Sequence, residues 1–377
     1  MASLDILVGC ESFKKLRECN CCYVDKTSFL VEMLSSPAPS VSLITRPRRF
    51  GKTLMLSMLH EFFDIKKNSC DLFEGLSITK HDDICKNWMN KVPTIFFSLK
   101  RIEGSNFKAA VRAFRDLAAR LCEENKYLLE SDKVSQLDRE ILRRVMLRTA
   151  DPTELSGFLY NLCYALEAYW GRQAIILIDE YDVPISYAEQ NGYYKQMICF
   201  MRDVLGTALK TNNSLEFAVL TGCLRIAKES IFTGVNNFAC YSVSNAKYAD
   251  KFGFTEDEVD YLLGISGFST KKSEFKEWYD GYRFGNNVGV YCPWDILVHI
   301  DNLKSDPNLP PQTYWNNTSG NVIVRTLVES SDGTSRQKIE RLVSGESIEE
   351  NIVEDLTYDI VYKNEKTSGQ CFILLDT

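Results

Sequence analysis

Apolar runs of strand length recur along the first part of the chain: "VSLITRP" (41–47), "TIFFSLK" (94–100), "AIILIDEYD" (174–182) and "EFAVLTGCL" (216–224). Rich in β-branched residues and too short for buried helices, they predict strands covered on both faces. Stretches of helical spacing lie between them. "LMLSMLHEFFDI" (54–65) is apolar nearly all round, and "NFKAAVRAFRDLAARLCEEN" (106–125) carries an apolar stripe. "ELSGFLYNLCYALEAYWG" (154–171) ends on Gly171, a helix terminator. Ahead of the first strand, the amphipathic "YVDKTSFLVEMLSS" (23–36) leads into a Pro/Ser loop. Strands alternating with helices predict a three-layer α/β domain with a mostly parallel sheet.

Near residue 250 the pattern changes. "GFTEDEVDYLL" opens on a capping box, Thr255 with Glu258 three residues on, so a helix starts there. "FKEWYDGYRFGNNVGVYCPWDILVHI" (275–300) is rich in aromatics and turns, "TYWNNTSGNVIVRTLVES" and "RQKIERLVSG" read as helical, and no internal repeat is found. The expected organisation is a core over 1–250, a smaller helical lid over 251–345, and the start of a further module over 346–377. The final apolar run reads equally as a strand or the start of a buried helix, and its abrupt stop suggests a truncated gene or a fragment.

Bulk composition narrows the function classes. The 377 residues are 45% hydrophobic and 25% charged, with a net charge of -7, which argues against a broadly basic nucleic-acid surface but leaves a local groove open. A locally basic stretch, "DREILRRVMLRTADP" (138–152), reads first as a solvated helix face, with nucleic-acid contact as the alternative. Thirteen cysteines are many, yet the N-terminus lacks the basic region and apolar length of a signal peptide, and no run approaches a membrane span. Cys122, Cys163, Cys199 and Cys223 sit in apolar segments, as reduced thiols do, so a cytoplasmic location is expected. "CNCC" at Cys19, Cys21 and Cys22 lacks the second pair a zinc ribbon needs.

Candidate chemistry begins at "RPRRFGKT" (46–53), between a predicted strand and a predicted helix. A phosphate-binding loop works by surrounding phosphate oxygens with backbone N–H groups and a helix N-terminus. Gly51 permits close approach, Lys52 reaches the β and γ phosphates, and Thr53 offers a hydroxyl to Mg²⁺. The amides of Arg48, Arg49, Phe50, Gly51, Lys52, Thr53 and Leu54 make up the candidate cradle, and the two arginines add charge. Arg46 stands where the general pattern has its first glycine, so a basic turn before a helix would read the same.

A second piece favours the nucleotide site. In "AIILIDEYD" two acids leave a strand: Asp179 is placed to hold Mg²⁺, and Glu180 to orient and deprotonate an attacking water. A third follows in "FAVLTGCLRIAKESIF" (217–232), where Thr221 is a candidate γ-phosphate sensor and Arg225 a candidate γ-phosphate contact, or else an ion pair with Glu229. "TIFFSLK" supplies a strand between the loop strand and the acidic strand, as in additional-strand ATPases. "TKHD" (79–82) fits a guanine-reading pattern but precedes the acidic strand, so ATP is expected rather than GTP.

Together these segments resemble the bacterial AAA-ATPase-like family commonly fused to a C-terminal PD-(D/E)XK nuclease-superfamily domain. The resemblance rests on "YVDKTSFL", "LITRPRRFGKTLMLSML", "LIDEYDVP", "LTGCLRIAKESIFTGVNNF", "WYDGYRFG", "VYCPWDIL" and "YWNNTSGN", over roughly residues 23–325. In that family the loop reads RPRRFGK[ST], so Arg46 and Pro47 belong to the pattern. The resemblance implies a P-loop NTPase core of the additional-strand, AAA/STAND-like type followed by a helical lid. It implies Walker roles for Lys52, Thr53, Asp179 and Glu180, with Thr221 and Arg225 in the sensor segment, and ATP and Mg²⁺ as ligands. Asp25 and Lys26 of "YVDKT" belong to the pattern without a role that the residues reveal. No nuclease signature is present, so no nuclease activity is expected. Expected partners are ATP or ADP, a second copy of the chain, and a protein partner or the missing nuclease-like domain. DNA contact is left open and no membrane is expected. A nucleotide-binding switch with little turnover, and a plain interaction module, stand as alternatives.

Overall fold

The computed structural model describes residues 5–35, 40–223, 231, 232, 235, 237–286, 288–314, 333–344, 346 and 348. Five parallel strands form the central sheet: β1 (Val41–Thr45), β2 (Thr94–Ser98), β3 (Ala174–Asp179), β4 (Leu215–Gly222) and β5 (Phe238–Tyr241), in the order β2-β3-β4-β1-β5. The apolar runs alternate between two cores, as strands covered on both faces must. From β3, Ala174, Ile176 and Ile178 join one core while Ile175 and Leu177 join the other; from β4, Ala218 and Leu220 oppose Phe217 and Val219.

The helices divide accordingly. α1 (Phe13–Glu18), α2 (Ser28–Leu34), α3 (Lys52–Phe63) and α4 (Asp82–Trp88) supply one face, and α5 (Phe107–Glu124), α6 (Gln136–Met146), α7 (Pro152–Trp170), α8 (Val183–Gln190) and α9 (Tyr194–Leu209) the other. Local signals set their ends. The Asn106 side chain caps α5, an Asp151/Glu154 capping box with Pro152 starts α7, and Gly171 at φ +73° stops it. The expected three-layer α/β fold with a parallel sheet is the one observed. The strand order corrects one detail. "TIFFSLK" intervenes between the loop strand and the acidic strand only in sequence; as β2 it forms an edge, and β4 lies between β1 and β3 in space.

Beyond the sheet come α10 (Glu256–Ser266), α11 (Lys272–Tyr279), a hairpin of β6 (Tyr282–Phe284) and β7 (Val288–Val290), and α12 (Pro293–Ser305). The Thr255/Glu258 capping box opens α10 as predicted. The helices share their own apolar cluster around Leu262, Phe275, Ile296 and Ile300, and a smaller one joins the hairpin to Phe50. A further helix covers Gly333–Val343. The segment from Trp315 to Asp332, within which further helix was predicted, and almost all of the expected C-terminal module lie outside the described residues.

Candidate functional site

At the carboxyl edge of the sheet, Thr45 ends β1 and the chain turns through residues 46–51 into α3. Gly51 has φ +82°, and a β-carbon there would meet nothing within 4 Å, so the demand for glycine is conformational rather than steric. Arg49 also lies in the left-handed region, at φ +70°. For a residue with a side chain that costs about 1–2 kcal/mol, and the surroundings hold it. The Arg49 guanidinium lies 4.1 Å from the centroid of the Trp294 ring, and Phe50 is enclosed against Tyr282 and Phe284. Among the described residues, the N–H groups of Arg48, Arg49, Phe50, Gly51, Lys52 and Thr53 meet no backbone acceptor. Such a run of N–H groups at a helix start is what an anion needs. Lys52, the first residue of α3, folds back over the loop. Its Nζ donates to the carbonyls of Arg46 and Pro47, each at 2.8 Å, and sits 3.4 Å from Cys223 Sγ.

The neighbouring strand tips meet this loop. Asp179, last in β3 and 2% exposed, accepts the Thr53 hydroxyl on Oδ2 (2.7 Å) and the Thr221 hydroxyl on Oδ1 (2.6 Å). One carboxylate therefore joins the start of α3 to the tips of β3 and β4. Glu180 follows at φ +53°, again left-handed. Burial pushes its carboxyl pKa up, Asp179 and Asp182 push the same way, and Lys100 and Lys52 oppose them. The carboxyl that burial tunes upward thus stands directly beside the carboxylate shared by Thr53 and Thr221.

The model of the predicted AAA-ATPase family (AAA-ATPase-like) matches residues 7–232. The chain belongs to the AAA-ATPase-like family. It is also 26% identical over 317 residues to a protein of Azotobacter chroococcum mcd 1 named "Uncharacterized protein in vnfD 5'region". That match covers 84% of this chain and 54% of the relative, so the chain spans about half the relative's length.

In this AAA-ATPase-like chain, Thr53, Asp179 and Thr221 lie in one hydrogen-bonded group, with Glu180 directly after Asp179, while Lys52 bonds separately to the Arg46 and Pro47 carbonyls and to Cys223. Arg225 lies outside the described residues. Arg48 is exposed, Leu54 is half-buried beside the α3 core, and the Phe50 side chain points into the hairpin cluster, leaving its amide as its contribution to the loop. Sequence reasoning missed Asp182, Cys223 and Arg46 as parts of the site. Asp182 is buried and takes the Cys223 N–H on Oδ2 at 2.9 Å. The spacing of "DEYD" was the available signal, since it returns a third acid to the strand tips.

Other sequence candidates resolve into structure. Asp25 accepts from the Thr27 and Ser77 N–H groups, and Lys26 Nζ donates to the Asp250 carbonyl and Glu258, so the "DK" pair ties the N-terminal segment to the core and to the cap of α10. Three arginines of the basic run are paired: Arg139 with Asp132, Arg144 with Glu154, Arg148 with Asp116. The cysteines among the described residues are free thiols, and no cluster of metal-ligating side chains is found among those residues. Cys122 and Cys163 are buried as expected. Cys199 is not: the buried stripe of α9 runs through Met197, Ile198, Met201, Val204 and Leu205, which turns residue 199 outward. No described helix is long and apolar enough to cross a membrane.

Proposed function

We propose that this chain binds ATP with magnesium and hydrolyses it, acting as the motor or regulatory module of a longer protein. The observation that carries this reading is the single carboxylate of Asp179, shared by the hydroxyls of Thr53 and Thr221 beside a Gly51–Lys52 loop whose N–H groups meet no backbone acceptor among the described residues. Thr53 and Asp179 offer the hard oxygen donors that magnesium takes, and a protein site for that ion needs only one or two such ligands. They would hold it, and the bound ion supplies positive charge beside the phosphates. The loop amides cradle phosphate oxygens, and Lys52 exchanges its two carbonyl partners for phosphate charge. Glu180 accepts a proton from the attacking water, and Thr221 keeps Asp179 oriented. In this reading residues 1–250 form the ATPase core and 251–345 a lid, and the resemblance to nuclease-fused proteins supports a nuclease-associated role for the full-length protein.

A second reading, a nucleotide-binding switch with little turnover, is favoured by one feature. Arg49 and Phe50, side chains of the loop itself, are seated against Trp294 and the β6–β7 hairpin. Calorimetric titration of ATP with magnesium separates binding from chemistry. Binding by the wild type, weakened about tenfold or more in Lys52→Ala, is expected of both readings. Equal affinity in the two proteins would remove Lys52 from the site.

A further inference from the structure

Arg46 occupies the place that general phosphate loops give to glycine, and its side chain is 1% exposed. Nη1 donates to the carbonyls of Thr45 (2.8 Å) and Tyr241 (2.9 Å), and Nη2 to that of Tyr248 (3.0 Å). Its Cζ lies 5.2 Å from the ring centroid of Phe252 and 5.4 Å from that of Phe284. Among the described residues the guanidinium meets carbonyl and aromatic partners only, and Nε has no acceptor. Burial pulls its pKa down to about 10, so it stays charged at neutral pH.

An enclosed cation with no carboxylate beside it is a costly way to fill space, since an apolar side chain of similar volume avoids the desolvation. Arginine offers instead a rigid fork, able to hold several carbonyls at once. Here it spans the end of β1, the end of β5 and the turn at Tyr248. The backbone of the same residue completes the junction: its N–H donates to the Gly222 carbonyl at 3.2 Å, and its own carbonyl receives Lys52 Nζ at 2.8 Å. The fork and the Lys52 contact therefore both belong to Arg46.

We infer that Arg46 is a positioning residue, through which the 241–252 segment sets where the carbonyls of Arg46 and Pro47 stand and so where the Lys52 ammonium waits. Its effect on ATP rests on the function proposed above; the mechanical link does not. Force applied to the 241–252 segment, which leads into α10, would loosen Lys52 and lower nucleotide affinity. Phe50 reinforces the link, because its carbonyl receives the Gly253 N–H and a β-carbon at Gly253 would stand 3.0 Å from the Phe50 ring.

The test is hydrogen exchange read by mass spectrometry on wild type and Arg46→Lys, which keeps the charge but loses the fork, followed by ATP kinetics on both. In the wild type, peptides covering 46–53 and 241–252 should open as one unit; separate opening overturns the inference even if the variant fails to fold. In Arg46→Lys, both peptides should exchange about tenfold faster while α5 and α7 stay unchanged. The KM for ATP should rise about tenfold with kcat within about threefold, because saturating ATP re-forms the loop. Uniformly faster exchange, or an unmoved loop, would make Arg46 a plain core residue. Coupled exchange in a wild type that binds no ATP would leave the link standing and defeat the ATP reading.

Discussion

Replacing Asp179 with asparagine should separate stability from function. The carboxylate is 2% exposed and accepts two hydroxyl hydrogen bonds, at 2.6 and 2.7 Å. Bonds to a charged acceptor contribute about 1.5–3 kcal/mol each and neutral ones about 0.5–1.5, so asparagine should weaken the pair by roughly 2 kcal/mol in total. Against that, removing a buried charge returns several kcal/mol of desolvation, of order the same size or larger. The net change in unfolding free energy should therefore lie within about 2 kcal/mol, or within about 8 °C in Tm for a domain of this size. Catalysis has no such offset. On the function proposed above, losing this carboxylate should lower ATP turnover in magnesium by about a hundredfold or more, the scale of removing one preorganised electrostatic group. Urea denaturation and a steady-state phosphate-release assay on the same preparations test both halves. The reverse pattern, turnover within about threefold of wild type with stability down by more than about 3 kcal/mol, would mark Asp179 as a structural acceptor with no part in turnover.

Three further outcomes are expected. A β-carbon at Gly222 would stand 2.6 Å from Tyr181 Cε1 and 2.7 Å from Asp182 Oδ1, so Gly222→Ala should cost about 1–3 kcal/mol by urea denaturation; a change below about 0.5 kcal/mol would contradict the close packing. The Glu180 carboxyl is held above its usual 4.5, chiefly by burial, so the folded chain binds that proton more tightly than the unfolded one. Its contribution to stability is full below the unfolded pKa and is lost as pH rises through the folded pKa. Glu180→Gln should thus be the more stable protein at pH 7, with the gap closing toward pH 4, and the opposite trend would overturn the assignment. The Lys26–Glu258 pair is 12% and 24% exposed while Lys14–Glu18 is 54% and 56%; Lys26→Met should cost about 1–3 kcal/mol and Lys14→Met under about 0.5. Equal effects in the two variants would deny Lys26 its tying role.

Much of this fold was legible because its signals are local. The β1, β3 and β4 runs are continuous apolar stretches, α7 carries its own start and stop, and Thr255 and Glu258 announce α10 three residues apart. β5 escaped notice because Phe238–Tyr241 is a short, half-buried edge strand with no apolar run to mark it. The β6–β7 hairpin read only as a turn-rich stretch, since its strands are three residues each. Within the site, residue types and their order placed Lys52, Thr53, Asp179 and Thr221 together. What they could not give was distance in space. Two of the three carbonyls that hold Arg46 lie 195 and 202 residues further on, and nothing near "RPRR" announces them. Asp25 and Lys26 posed the same problem, because the Lys26 partner Glu258 is 232 residues away.

Whether the Asp179 site turns over ATP is decided by assaying the purified chain with magnesium beside Lys52→Ala and Glu180→Gln. The wild type is expected to hydrolyse ATP and both variants to lose that activity, with Glu180→Gln still binding ATP. Turnover that persists unchanged in Glu180→Gln would contradict the role proposed for Glu180.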